Sequence, residues 1–182
     1  FIGSHVVEML LENGAEVTTF LQYVFQGDLG WIAHLKDKVK VYAGDVRDYH
    51  AVENAMKGAD VVLHLAASIS IPYSIKHPRD VIDTNVIGTT NILMASGVNN
   101  VSRVVQISSS EVYGNPEYIP IDEKHPHNTQ SPYAASKIAA DKIAESFHKS
   151  RDVPVVIIRP FNTFGPRQST RAFIPSTIIQ MM

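Results

Sequence analysis

The stretch "SPYAASK" places Tyr133 and Lys137 four positions apart in a segment that reads as the start of a helix. Helical residues at i and i+4 share a face about one turn apart, so a phenol and an ammonium can reach one spot. A free phenol titrates near pH ~10 and is a poor base at neutral pH. A neighbouring cation favours the phenolate and lowers that value. The pair is therefore a candidate acid/base for an alcohol; its plain alternative is a surface Tyr and Lys at ordinary helical spacing. Upstream, "ISSSEVYG" follows an apolar run. Ser109 would lie at the carboxyl edge of a strand ending at Ser108, where a hydroxyl can bond both a substrate oxygen and the phenol. Glu111 is placed to take a proton from carbon. The ordinary readings are serines that satisfy their own loop and a solvated carboxylate.

These residues need elements to hold them. Apolar positions recur at helical spacing from Ile2 to Leu11, and Asn13-Gly14 is a helix stop. Strands are expected at "AEVTTFL", "VKVYAGD" (39–45), "ADVVLHLAA" (59–67), "RVVQISSS" and "VPVVIIRP". Helices are expected at "DYHAVENAMKG", at "RDVIDTNVIGTTNILMASGV" and from 132 to about 150. The segment 22–38 is of mixed polarity, and a loop with two prolines runs to Pro78. Strands thus alternate with helices and are continuously apolar, the pattern of a parallel sheet covered on both faces. Ligands bind such sheets beyond the carboxyl ends of the strands. Here those ends are "GDV", "LAAS", "SSSEVYG" and "RPFNTFG".

The 182 residues, 45% hydrophobic, suit one globular domain. The net charge of −2 gives no argument for nucleic acid or an anionic membrane. With no cysteine, a disulfide framework and a thiolate site are both excluded, and a reducing cytoplasm is compatible. No apolar run reaches membrane-spanning length. No metal is expected. Residue 1 is Phe inside a helical pattern, and "IPSTIIQMM" stops inside another. The expectation is an internal fragment.

Taken together, "FIGSH", "GDVRD", "HLAA", "DTNVIGT", "SSSEVYG", "SPYAASK" and "RPFNTFGPRQS" resemble the extended short-chain dehydrogenase/reductase family, the NAD-dependent epimerase/dehydratase group acting on nucleotide sugars. The motifs fall in the right order over nearly the whole chain. Within the group, "ISIPYS", "QSPYAASK" and "RPFNTFGPRQS" most resemble 4,6-dehydratases of the legionaminic-acid pathway, which act on nucleotide-linked N-acetylglucosamine. The resemblance implies a doubly wound, Rossmann-like parallel sheet truncated at both ends. Residues 1–182 would be a partial dinucleotide-binding domain lacking its first strand and its C-terminal substrate-binding part, with a gap at that strand or another segment filling it.

The resemblance also implies roles. Tyr133 matches the catalytic base, Lys137 its partner, Ser109 the hydroxyl of the triad, and Glu111 the base that removes the C5 proton. Gly3 matches the last glycine of the phosphate loop, where a side chain would block helix–strand packing. Asp45 and Val46 match the adenine contact, and Leu65, Ala66 and Ala67 the strand end along the dinucleotide. Ser108, Tyr133 and Lys137 also border the cofactor, with Pro160 and Phe161 as the wall beside the nicotinamide. Asn162 and Arg167 match sugar-nucleotide contacts, and Asn85 a structural polar group behind the site. The cofactor implied is NAD; "TTFL" lacks the acidic residue that would bind a ribose hydroxyl, so NADP stays open. Ser110 stands where many dehydratases carry an Asp that protonates the departing C6 hydroxyl. A serine there could hold a relaying water. The same Ser-Glu pair occurs in decarboxylases of UDP-glucuronate. A 4-epimerase needs Tyr133 but no C5 base. A nucleotide-binding relative without catalysis is a further alternative, against which the Tyr133, Lys137 and Ser109 set speaks. The group usually dimerises through a four-helix bundle, which helices 79–98 and 132–150 would supply to a full-length homodimer.

Overall fold

A computed structural model describes residues 1–22 and 27–182. Part of the hard-to-read segment 22–38, residues 23–26, lies outside the described residues. The chain forms two compact units, Phe1–Ala43 with Asn162–Met182, and Gly44–Phe161.

In the first unit, helix α1 (Ile2–Glu12) leads to strand β1 (Val17–Leu21), a 3-10 turn (Gly30–Leu35) and strand β2 (Val39–Ala43). β1 and β2 pair in parallel, Val17 opposite Val39. Helix α7 (Phe173–Met181) belongs to the same unit.

The second unit runs α2 (Tyr49–Met56), β3 (Val61–His64), α3 (Ile71–Lys76), α4 (Pro78–Ile82), α5 (Gly88–Val98), β4 (Arg103–Ile107), α6 (Pro132–Arg151) and β5 (Val155–Ile158). Its sheet is parallel in the order β3-β4-β5. α2 packs on α5, α5 on α6, and α5 and α6 meet β3 and β5. The core contains Val81, Leu93, Val104, Val112, Ala134 and Ala140, all fully buried. Parallel strands joined by crossover helices agree with the α/β expectation. Among the described residues β1 pairs only with β2, and β3 only with β4. Among the described residues, no helix is long and apolar enough to cross a membrane.

Three local expectations change. The proline-bearing loop before Pro78 holds one short helix, α3; Ser70 caps it by accepting the Tyr73 N–H, and Pro72 fits its first turn. The long helix from 79 is broken in the middle by a π turn, Asp83–Ile87. β5 is not covered on both faces, because Val156 and Ile158 are exposed while their neighbours are half-buried.

Candidate active site

α6 starts where its sequence says it should. Ser131 accepts the Ala134 N–H at 3.1 Å, and Pro132 takes the first turn, where no N–H is needed. The helix then carries Tyr133, Lys137 and Asp141 at successive i+4 positions, all buried. They face the carboxyl end of β4. Past its last residue the ladder continues, with Ser108 N–H donating to Ile158 O at 2.8 Å and Ser110 N–H to Pro160 O at 3.0 Å. Ser109 then caps a 3-10 turn, Ser110–Val112, by accepting the Glu111 N–H. Gly114 ends this turn at φ +63°; a Cβ there would lie 2.0 Å from Asn128 O, so only glycine fits.

Tyr133, Ser109 and Glu111 come together, with Lys137 one helical turn further along α6. Ser109 and the Glu111 charge both act on the phenol. The expectation that the ammonium lowers the phenol pKa does not hold. Burial raises it, the Ser109 bond opposes, and Glu111 adds to the rise. The Lys137 ammonium instead donates to Ile107 O at 2.6 Å. Burial brings its own pKa down to about 8, against the pull of Asp141. Ser108 does not turn its hydroxyl outward but donates to Asp141 Oδ2 at 2.9 Å. Ser110 lies half-buried on the turn. Pro160 and Phe161 follow β5, and the exposed Phe161 ring stacks on Tyr113 at 6.4 Å between centroids.

The rest of the second unit braces this arrangement. Asn85, on the π turn, accepts the Ser68 N–H at 2.7 Å and donates to Ser68 O at 3.0 Å and Ser136 Oγ at 2.9 Å. It thereby fixes the loop Leu65–Ala67 that follows β3, while Ser136 bonds the Tyr133 carbonyl at 2.7 Å. Such π turns are frequent at functional sites. Val46 is buried, its carbonyl accepts from Asn91 Nδ2 at 2.9 Å, and a Cβ on Gly88 would meet its Cγ2 at 2.7 Å. Asp45 takes a fork from Arg47, with Nη2 at 2.6 Å. Ala66 and Ala67 follow β3 with small side chains, while the Asp45 carboxylate and the Lys137 ammonium are engaged by Arg47 and Ile107 O.

Gly3, Asn162 and Arg167 lie in the first unit. Gly3 sits in the first turn of α1, and a Cβ there would meet nothing within 4 Å, so the packing reason for a glycine is not met. Asn162 is exposed. Arg167 adopts φ +69° and grips Glu8 with both Nη atoms at 2.9 and 2.7 Å. That guanidinium, with His34 beside it, holds the Glu8 carboxyl below its ordinary value.

Sequence reasoning missed three buried groups. Arg159 donates from Nε to Asp141 Oδ2 at 3.0 Å and from Nη1 to Tyr113 Oη at 3.1 Å. Asp141 extends the Tyr133–Lys137 spacing by one more turn, a signal that was available. His64, at the end of β3, shares a 3.0 Å contact with Thr89 Oγ1. Because Thr89 donates its own proton to Asn85 O at 2.6 Å, the imidazole must be the donor, through Nε2. Burial, with Lys137 nearby, pushes the His64 pKa down to about 3.

A model of the family described as GDP-mannose 4,6 dehydratase matches residues 1–182. The chain is 34% identical to the low-salt glycan biosynthesis protein Agl12 of Haloferax volcanii over 98% of this chain and 58% of that protein. It superposes with TM-score 0.92 and 31% identity on DesIV, a dTDP-glucose 4,6-dehydratase of Streptomyces venezuelae solved with NAD bound, covering 100% of this chain and 59% of that one. A Thermus thermophilus UDP-glucose 4-epimerase in complex with NAD gives 0.87 and 32%, over 98% and 58%. The chain therefore spans somewhat over half the length of these relatives.

Proposed function

We propose, on the premise that this chain belongs to the GDP-mannose 4,6-dehydratase family, that the full-length protein is a nucleotide-sugar 4,6-dehydratase using NAD. The observation that carries the reading is the Tyr133 phenol beside Ser109 and Glu111, with Lys137 one helical turn away bonded to the end of β4. Asp45, Val46, Leu65–Ala67, Ser108, Lys137, Pro160 and Phe161 would border the cofactor, with Gly3 at its phosphates; NADP remains compatible. When bound, NAD would supply a transient hydride sink between C4 and C6 of the sugar.

The chain's own residues handle the protons. Tyr133 takes the proton of the C4 hydroxyl, steered by the Ser109 hydroxyl. Lys137, charged below pH about 8, stands one helical turn from the phenol and holds the end of β4 through Ile107 O. The C4 ketone so formed acidifies the C5 hydrogen, which Glu111 removes. The C6 hydroxyl leaves as water after receiving a proton through the Ser110 hydroxyl or a water that it holds. Glu111 then returns a proton to C5, so the net change is loss of one water. Asn162 and Arg167 are assigned to the sugar nucleotide, nucleotide-linked N-acetylglucosamine being the favoured substrate. A 4-epimerase is the second reading; it is favoured by the Thermus relative and disfavoured by a carboxylate placed beside the phenol.

The full-length protein is further proposed to be a cytoplasmic homodimer through α5 and α6. A groove of about 270 Å³ between them is lined by Leu93, Met94, Gly97, Val98 and Phe147, of which Met94 and Val98 are exposed. A monomer in analytical ultracentrifugation would refute this.

Turnover in heavy water tests the chemistry. A dehydratase incorporates deuterium at C5, read by NMR, and Glu111→Gln abolishes it. Turnover without deuterium at C5 in the parent would remove the dehydratase reading.

A further inference from the structure

Asp141 is fully buried, and among the described residues only one of its oxygens is partnered. Oδ2 accepts from Ser108 Oγ and Arg159 Nε, at 2.9 and 3.0 Å, while Oδ1 has no hydrogen-bond partner among them. A buried carboxylate left half-satisfied is costly and needs a reason. Its position supplies one. The carboxylate stands on α6 one turn beyond Lys137. Ser108 directly precedes Ser109 and the turn that bears Glu111, and Arg159 directly precedes Pro160. The same Arg159 donates to Tyr113 Oη at 3.1 Å and lies 5.4 Å from the centre of that ring. Tyr113 ends the Glu111 turn and stacks on Phe161.

We infer that Asp141 is a positioning residue of this site: by holding Ser108 and Arg159, and Tyr113 through Arg159, it fixes the segments that bear Lys137, Ser109 and Glu111 against one another. The inference rests on the proposed reading of Tyr133, Lys137 and Glu111 as the reacting groups. A tether confined to packing would need no charge. Here the charge matters, because Lys137 has few partners of opposite sign. The titratable and charged groups around it are His64 on β3, Tyr133 and Asp141 on α6, Arg159 across Asp141 just past β5, and Glu111 beyond the phenol. His64 is neutral and Arg159 is cationic, so Asp141 is the anion that keeps the buried ammonium protonated.

The test uses the full-length, NAD-loaded protein with Asp141→Asn and Tyr113→Phe. Asp141→Asn keeps the shape and removes the charge. It is expected to lower kcat about 10- to 100-fold with KM changed much less, the size expected when a charge-assisted bond is lost. The fall of kcat on the alkaline side, where Lys137 loses its proton, moves to lower pH. Tyr113→Phe removes only the Arg159 tether; it lowers kcat several-fold and leaves that limb in place. Should Asp141→Asn fail to fold, Ser108→Ala and Tyr113→Phe test the two arms, each expected to lower kcat. Titration of Lys137 by NMR of lysine labelled at Cε, assigned with Lys137→Met, gives a readout independent of turnover and must show the same acid-ward shift in Asp141→Asn. If Tyr133→Phe retains turnover, the reaction reading fails while the lysine titration still decides the Asp141 inference. Parent-like kcat in Tyr113→Phe and Ser108→Ala, or an unmoved lysine titration in Asp141→Asn, overturns the inference.

Discussion

Acidification should unfold the second unit through His64. The imidazole is 4% exposed, and its pKa is pushed from 6.5 down to about 3 because burial disfavours the charged form. The unfolded chain therefore binds a proton near pH 6.5 that the folded chain refuses until about pH 3. Stability falls as pH drops through that window and is fully retained above it. At 1.36 kcal/mol per pKa unit, the loss reaches roughly 2 kcal/mol at pH 5 and at most ~5 kcal/mol near pH 3. Against a domain stability of ~5–15 kcal/mol, this one side chain sets much of the acid limit. Asp141, whose carboxyl burial pushes upward, acts in the opposite sense, so the parent must be compared with a variant. His64→Gln keeps an N–H donor for Thr89 and has no titrating nitrogen. Urea unfolding of the full-length protein from pH 7 to 4.5, followed by circular dichroism, should show a slope in the parent that is largely absent in His64→Gln. Equal slopes would mean that His64 is charged in the fold or open to water, and would refute the tautomer assigned from Thr89.

Gly114→Ala should destabilise by more than ~1 kcal/mol, seen as a lower Tm, because its Cβ would strike Asn128 O and its φ is left-handed. Gly88→Ala should weaken NAD binding in calorimetry more than it lowers Tm, since its Cβ would push Val46 from 2.7 Å. Tyr133→Phe should lower kcat about 10²- to 10⁴-fold while leaving NAD affinity within a few-fold, the ring being kept and the proton-transfer group lost; a tenfold or smaller loss would remove the phenol from the mechanism.

Much of this was legible in the sequence where one local signal dominates. "SPYAASK" carries its own N-cap and first-turn proline, so α6 starts at Pro132 as expected and places Tyr133 and Lys137 on one face. α3 has the same kind of start at Ser70 and Pro72, but two prolines in a short span read as loop. The π turn at Asp83–Ile87 is invisible to periodicity, because one extra residue per turn leaves the apolar pattern of "DVIDTNVIGT" intact. The sign of the Tyr133 shift was misjudged because it depends on burial and on where Lys137 points, and neither follows from spacing. Asp141 and Arg159 escaped notice because charged residues are ordinarily solvated. Their pairing links α6 to the end of β5, eighteen residues on in the chain, and only the fold brings them together.

The central claim is net loss of water from a nucleotide sugar, and product mass tests it most directly. Full-length protein loaded with NAD is incubated separately with UDP-N-acetylglucosamine, dTDP-glucose, GDP-mannose and UDP-glucuronate, and the products are read by mass spectrometry. The account predicts a product lighter than its substrate by one water from at least one of the first three. A product of unchanged mass but altered C4 configuration would make the protein an epimerase, and loss of carbon dioxide from UDP-glucuronate would make it a decarboxylase; either, without dehydration, contradicts the account.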